Sequence, residues 1–227
     1  METSPLIVAC KSGDLTAIKE QLKAGADINA VSVTGSTPLI YAAQNNQYEA
    51  VELLLKKGAK VNEKNKIGGT ALNRAAENGN IEMMHLLFEN GAEIGPLALI
   101  LAAREGQLEA VKLLVKKGAD LNARQHWGQT AIMFAAKEGH LDVVRFLISS
   151  GADVTIKDKN GNTALNHANE NEQSDVAVVL RSAGATESRT KKRTVSAPAA
   201  DDDDDDIDTT GDDDIEIVED GSSEDDD

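Results

Sequence analysis

Cysteine is nearly missing from this chain: Cys10 stands alone in 227 residues. That excludes an internal disulfide framework and the paired-cysteine spacing of structural zinc sites, and it fits a reducing compartment. Aromatic residues are scarce as well, at 3%. Alanine, leucine and glycine must therefore fill the interior, which suits thin helices packed closely. There is no run of about 18 apolar residues, so no membrane-spanning helix and no membrane partner are expected. The opening METSPLIVAC has no basic segment, and its apolar run of about six residues is too short for a secretory leader. A cytoplasmic or nuclear location is the expectation.

Positive charge is the other shortage. Lys and Arg number 23 against 39 Asp and Glu, a net charge of −16. Residues 186–227 alone hold 18 acids and 4 bases, so −14 of that total lies there and residues 1–185 are within two charges of neutral. Direct binding of duplex DNA is not expected, because it needs several Lys or Arg to displace phosphate counterions. Basic proteins are better-matched partners for the acidic end.

What the chain does have is a repeat. A Gly-Ala pair recurs at Gly25, Gly58, Gly91, Gly118, Gly151 and Gly184, at spacings of 33, 33, 27, 33 and 33 residues. Ahead of it lie apolar triplets at i, i+3 and i+4: Val51, Leu54, Leu55; Met84, Leu87, Phe88; Val111, Leu114, Val115; Val144, Leu147, Ile148. Such spacing makes one stripe on a helix. Farther upstream, paired alanines (Ala42 with Ala43, Ala75 with Ala76, Ala102 with Ala103, Ala135 with Ala136) mark a second helix that lets neighbours approach closely. Thr37-Pro38-Leu39, Thr70-Ala71-Leu72 and Thr163-Ala164-Leu165 open these helices, with Thr able to cap and Pro suited to the first turn. Gly13, Gly79, Gly106 and Gly139 close them, where a left-handed residue is needed.

This unit resembles the ankyrin repeat in period and in its Thr-Pro-Leu opening. The resemblance covers about residues 4–185 and implies an all-α solenoid of helix-turn-helix repeats with β-hairpin fingers. Its repeats would span 1–35 (an N-terminal cap), 36–69, 70–95, 96–128, 129–161 and 162–185 (a C-terminal cap), followed by a basic Ser/Thr linker at 186–200 and an acidic disordered tail at 201–227. The family's histidine is absent from the opening of every copy, replaced by Ile40, Asn73, Ile100, Met133 and Asn166. The 27-residue spacing removes the finger expected at residues 93–96, leaving a gap in the row. Polar Gln21, Glu172, Ser174 and Arg181 stand in the end copies where inner copies are apolar or glycine, as a solenoid's edges require.

The resemblance implies a protein-binding scaffold, without cofactor, that is monomeric and reads partners with finger tips and first-helix edges. Carried over by position, the tips are Val33, Thr34, Lys66, Ile67, His126, Trp127, Lys159 and Asn160. The edges are Gln44, Asn45, Glu77, Asn78, Arg104, Glu105, Lys137 and Glu138. Trp127 either anchors a partner, as buried Trp often does, or packs on its own hairpin or the next finger. No enzyme is expected. His85, His126, His140 and His167 sit at unrelated repeat positions with no metal-site spacing, and Cys10 occupies a paired-alanine position, as a small buried residue rather than a nucleophile.

Past the repeats, Lys191, Lys192 and Arg193 make a short basic cluster that resembles a nuclear-import signal and reads equally as a solvated linker. Ile215, Ile217 and Val218, flanked by acids, resemble a SUMO-interacting motif, in which an extended strand is added to a sheet edge. The expected protein is thus a non-enzymatic adaptor or regulator whose acidic tail engages a basic surface. The alternatives are masking of a transcription factor, as in the inhibitors of kappa B, or histone-chaperone-like capture of basic proteins by the tail.

Overall fold

The computed structural model describes residues 4–187, which form twelve α-helices and, among the described residues, no strand. The first helices of the six repeats, α1 (Pro5–Ser12), α3 (Pro38–Gln44), α5 (Ala71–Glu77), α7 (Pro96–Arg104), α9 (Ala131–Glu138) and α11 (Ala164–Glu170), pack side by side in one layer. The second helices, α2 (Leu15–Lys23), α4 (Tyr48–Lys56), α6 (Ile81–Glu89), α8 (Leu108–Lys116), α10 (Leu141–Ser149) and α12 (Ser174–Ser182), form the other.

The core is the one that the repeat spacing implies. Leu54, Leu87, Leu114 and Leu147 have no exposed surface, nor do Ala42, Ala43, Ala75, Ala76, Ala102, Ala103, Ala135 and Ala136 between the layers. Each buried leucine contributes about 1.5–3 kcal/mol, while the alanines let the helix axes close up. Cys10 belongs to the same row, fully buried. That burial pushes its thiol up to about 12.

Threonines start the helices by accepting backbone hydrogen bonds: Thr37 from Ile40 N–H at 3.3 Å, Thr70 from Asn73 N–H at 3.2 Å and Thr163 from Asn166 N–H at 3.4 Å. At their exits the chain turns through a left-handed residue six times, at Gly13, Asn46, Gly79, Gly106, Gly139 and Glu172. The glycines are needed for space as well. A Cβ on Gly13, Gly79, Gly106 or Gly139 would overlap Gln47, Gln107, His140 or Gln173 of the following repeat. Those side chains reach back over the exit, His140 Nε2 donating to the Arg104 carbonyl at 2.7 Å and Gln47 Nε2 to the Lys11 carbonyl at 3.3 Å. Where Asn46 replaces glycine, the following repeat offers the shorter Asn80, whose Nδ2 donates to Asn46 Oδ1 at 2.6 Å. Glu172 has no repeat after it.

Four fingers project from the stack. Each is a tight turn closed by two backbone bonds at one base residue: Ser32, Asn65, Gln125 or Asp158 donates to the carbonyl of Ser36, Gly69, Gln129 or Asn162 at 2.9–3.0 Å and accepts from the amide of Gly35, Gly68, Gly128 or Gly161 at 2.8–3.0 Å. The expected β-hairpins are too short to carry a ladder, so they register as turns. Neighbouring fingers are linked in two pairs, by Lys66 N–H to Thr34 O and by Lys159 N–H to Trp127 O, both 3.0 Å.

No finger stands between 65–69 and 125–129. There α7 opens at Pro96, two residues earlier than α5 or α9 in the repeat alignment, and Leu97 takes the position held elsewhere by a capping threonine. The same deletion puts Gly95 where the exits of repeats 1, 2 and 4 have a bridging asparagine, and repeat 5 has Thr155 there. Asn29 accepts from Lys60 N–H, Asn62 from Glu93 N–H and Asn122 from Asp153 N–H, each at 2.9 Å, and the join between repeats 3 and 4 has no such bond.

Candidate functional site

Two strips on the repeat body carry the candidate residues. Along the first-helix exits, Gln44, Asn45, Asn46, Glu77, Asn78, Glu105 and Gln107 line one open depression of about 640 Å³. The structure therefore brings together the candidates Gln44, Asn45, Glu77, Asn78 and Glu105 of repeats 2, 3 and 4, with Arg104 outside the lining. Lys137 and Glu138, paired with each other at 3.5 Å, lie outside this lining. Asn46 and Gln107 were not foreseen as part of it, although the non-glycine residue at a left-handed exit was a signal for the first.

Several edge residues are held by the fold. Glu77 accepts from Arg74 Nη1 at 2.8 Å and from Arg104 Nη2 at 2.7 Å, and Arg104 Nε also donates to Glu105 at 2.9 Å. The Arg104–Glu77 pair joins α5 to α7, across the same join that lacks its finger and its asparagine. Asn78 Nδ2 donates to the Ala43 and Gln44 carbonyls at 3.0 and 3.1 Å and so ties down the end of α3. The edge thus presents amides and carboxylates to solvent while its cations are drawn into pairs.

The finger strip differs in character. Among the described residues the large exposed apolar side chains are Val8, Val31, Val33, Ile67, Trp127 and Val178. Three of these six, Val33, Ile67 and Trp127, sit on fingers, Val31 adjoins the base of one, and Val8 and Val178 lie on the terminal repeats. Thr34 gives its carbonyl to the next finger, and Asn160 N–H donates to Asp158 Oδ1 at 2.9 Å. The alternative foreseen for Trp127 is half realised. His126 meets it edge-on at 5.5 Å and the Lys159 ammonium stands 5.6 Å from its ring centroid, yet 52% of the residue stays exposed. On or next to the last three fingers in sequence stand exposed cations: Lys64, Lys66, Arg124, Lys157 and Lys159. Val31, Lys64, Arg124 and Lys157 were missed because they flank the aligned tip positions.

Nearby carboxylates are mostly engaged. Asp158 is buried and bonded to His167 Nε2 at 3.0 Å, a partnership across nine residues that sequence spacing did not reveal. The Thr155 hydroxyl and amide donate to Asp153 and hold its carboxyl below the usual carboxylate range, with the Arg124 charge adding to the effect. A smaller depression of about 450 Å³ lies on the second-helix side, lined by Ile81, Glu82, His85, Glu109, Lys112, Leu113 and Lys116. Among the described residues no group of three or more His, Cys, Asp or Glu could hold a metal ion, and no helix is long and apolar enough to cross a membrane. Lys191, Lys192, Arg193, Ile215, Ile217 and Val218 fall outside the described residues.

A fold of stacked helix-turn-helix units with projecting fingers defines a repeat protein of the ankyrin class. The model of the ankyrin repeats (3 copies) matches residues 6–98 and again 99–191, and the chain belongs to the ankyrin repeat family. An ankyrin repeat domain from Acinetobacter baumannii is 31% identical, with a TM-score of 0.66, covering 80% of this chain and 98% of that one. The ankyrin repeat domain of human ASB11 is 25% identical, with a TM-score of 0.71, covering 81% of this chain and 85% of that one. A search of curated proteins finds no match. Ankyrin repeat domains are in general protein–protein interaction modules and are typically not enzymes.

Proposed function

We propose that this protein is a non-enzymatic adaptor or regulator that holds a protein partner against its finger tips and first-helix edges, while the acidic segment at 201–227 engages a basic surface. One observation carries this reading: the exposed apolar side chains concentrate on the fingers, where the fold has no use for them. Apolar anchors ringed by polar groups are the usual centres of binding energy, and exposed apolar clusters mark interaction sites. Two separately weak contacts on one chain raise apparent affinity through effective concentration. A histone-chaperone-like role for the acidic segment and the masking of a transcription factor remain alternatives, distinguished by which part of the chain holds the partner.

The test is site-specific photocrosslinking in the full chain. A photoreactive residue replacing Ile67 or Glu105 should capture a partner, and one replacing His85 on the second-helix side should not. Capture only at His85, or equal capture at all three sites, refutes the assignment.

A further inference from the structure

The vacant finger position has an unusual chemistry on both walls. In the linked finger pairs, Lys66 N–H and Lys159 N–H donate to the carbonyls of Thr34 and Trp127. By repeat alignment, His126 N–H is the donor that would have bonded the missing finger, and the Ile67 carbonyl is the acceptor that would have bonded it from the other side. Among the described residues neither atom makes a backbone hydrogen bond. The slot between 65–69 and 125–129 is therefore flanked by one unused donor and one unused acceptor, the arrangement to which an extended segment adds itself.

The side chains there narrow the choice of segment. Ile67, 40% exposed, belongs to one wall and Trp127 to the other, with exposed Pro96 and half-buried Leu97 at the start of α7 between them in sequence. Lys64 and Lys66 belong to the first wall, and Arg124 to the second, next to the finger that carries Lys157 and Lys159. Of the carboxylates near these loops, Glu63 lies 3.5 Å from Lys60 and Asp158 is buried against His167, while exposed Asp153, bonded by Thr155, keeps its charge near Arg124, and exposed Glu93 precedes α7. On a chain of net charge −16 the fingers thus carry a local excess of exposed cations, Lys64, Lys66, Arg124, Lys157 and Lys159, beside the exposed apolar Ile67 and Trp127.

We propose that this slot docks an extended, acidic segment of a partner protein that carries a large apolar side chain between its carboxylates. One main-chain carbonyl of the segment accepts from His126 N–H, its apolar side chain lies against Trp127 and Ile67, and its carboxylates face the Lys and Arg of both walls. Such matching of opposite charges sets orientation and speeds encounter. A basic segment would meet the three cations of the walls, with Lys157 and Lys159 on the finger beyond, and a neutral one would leave them unmatched. Nucleic acid fits less well, because the remainder of the chain repels a polyanion and few phosphates could be matched. The proposal rests on the protein-binding reading above and adds the chemistry of what is bound.

Trp127 is the only tryptophan in the chain, so its fluorescence reports the slot directly. The probe is a synthetic peptide, Asp-Asp-Glu-Ile-Asp-Leu-Glu-Asp, titrated into the full chain at low salt. The expected result is a saturable shift of Trp127 emission, slower hydrogen exchange at the His126 amide, and no response to the same peptide with Lys in place of its acids. With a dye-labelled probe, Lys66→Glu combined with Arg124→Glu weakens binding by about tenfold or more, and Ile67→Ala combined with Trp127→Ala does the same, while circular dichroism of both variants stays unchanged. No saturable signal at a peptide concentration of about 1 mM, equal binding of the Lys peptide, or tighter binding of a thymidine oligonucleotide overturns the proposal. Concentration-dependent self-association of the full chain that Trp127→Ala abolishes assigns the slot to the acidic segment of a second copy, and overturns it equally. If photocrosslinking at Glu105 persists while the peptide fails, the protein-binding reading stands and only the chemistry assigned to the slot falls.

Discussion

The join between repeats 3 and 4 is where the stack should come apart first. It has lost a finger-to-finger bond and an asparagine bridge, each of which contributes about 0.5–1.5 kcal/mol net elsewhere in the array. In their place it has the Arg104–Glu77 pair at 2.7 Å, whose side chains are 26% and 18% exposed. Attraction of about 4 kcal/mol, for charge centres about 4 Å apart at an effective dielectric near 20, is offset by partial desolvation and lost side-chain freedom, leaving a coupling of about 1–2 kcal/mol. A double-mutant cycle of Glu77→Gln and Arg104→Gln, read by urea unfolding, should return that coupling. The exposed Lys112–Glu109 pair at 2.7 Å should return about 0.5 kcal/mol or less. Because a repeat array is held by nearest-neighbour interfaces, native-state hydrogen exchange in Glu77→Gln should show α5 and α7 losing protection before α3 and α9. A cycle no larger than that of the exposed control, or protection lost evenly along all six repeats, would refute the idea that this pair substitutes for the missing finger.

Three further outcomes follow from the packing. Leu114→Ala, at a fully buried position, should cost about 2–5 kcal/mol and appear as a lowered, still cooperative melt by circular dichroism. Gly79→Ala should cost about 1–2 kcal/mol for left-handed strain alone and more because its Cβ meets Gln107; adding Gln107→Ala should return the second part only, as measured by urea unfolding. For Cys10 the pKa is raised from 9.0 to about 12 on folding, so its contribution is intact below pH 9 and is lost as the unfolded thiol ionises between pH 9 and 12. The expected fall between pH 8 and 10.5 is about 2 kcal/mol beyond that of Cys10→Ala, and parallel pH profiles for the two proteins would contradict it.

What repeats in this chain was legible, and what occurs once was not. The Gly-Ala pairs, the apolar triplets and the paired alanines recur because each unit buries the same faces against its neighbours, so Leu54, Leu87, Leu114 and Leu147 reveal themselves by position alone. The missing finger was legible too, as six residues absent from one interval. Its consequences were not. Nothing in the spacing announces that Pro96 starts α7 early or that Glu77 accepts from two arginines, one of them 27 residues away. Asn78 is instructive in the same way, since alignment placed it among partner contacts while the structure bonds it to two carbonyls of the preceding helix. A side chain at an aligned surface position is free to bind only if the neighbouring repeat leaves its hydrogen-bonding groups unused, and neighbouring repeats differ most on that surface. The same rule gives the slot its interest: deleting one finger removes the neighbours of His126 N–H and the Ile67 carbonyl and leaves both available, a change that the period records only as a shorter interval.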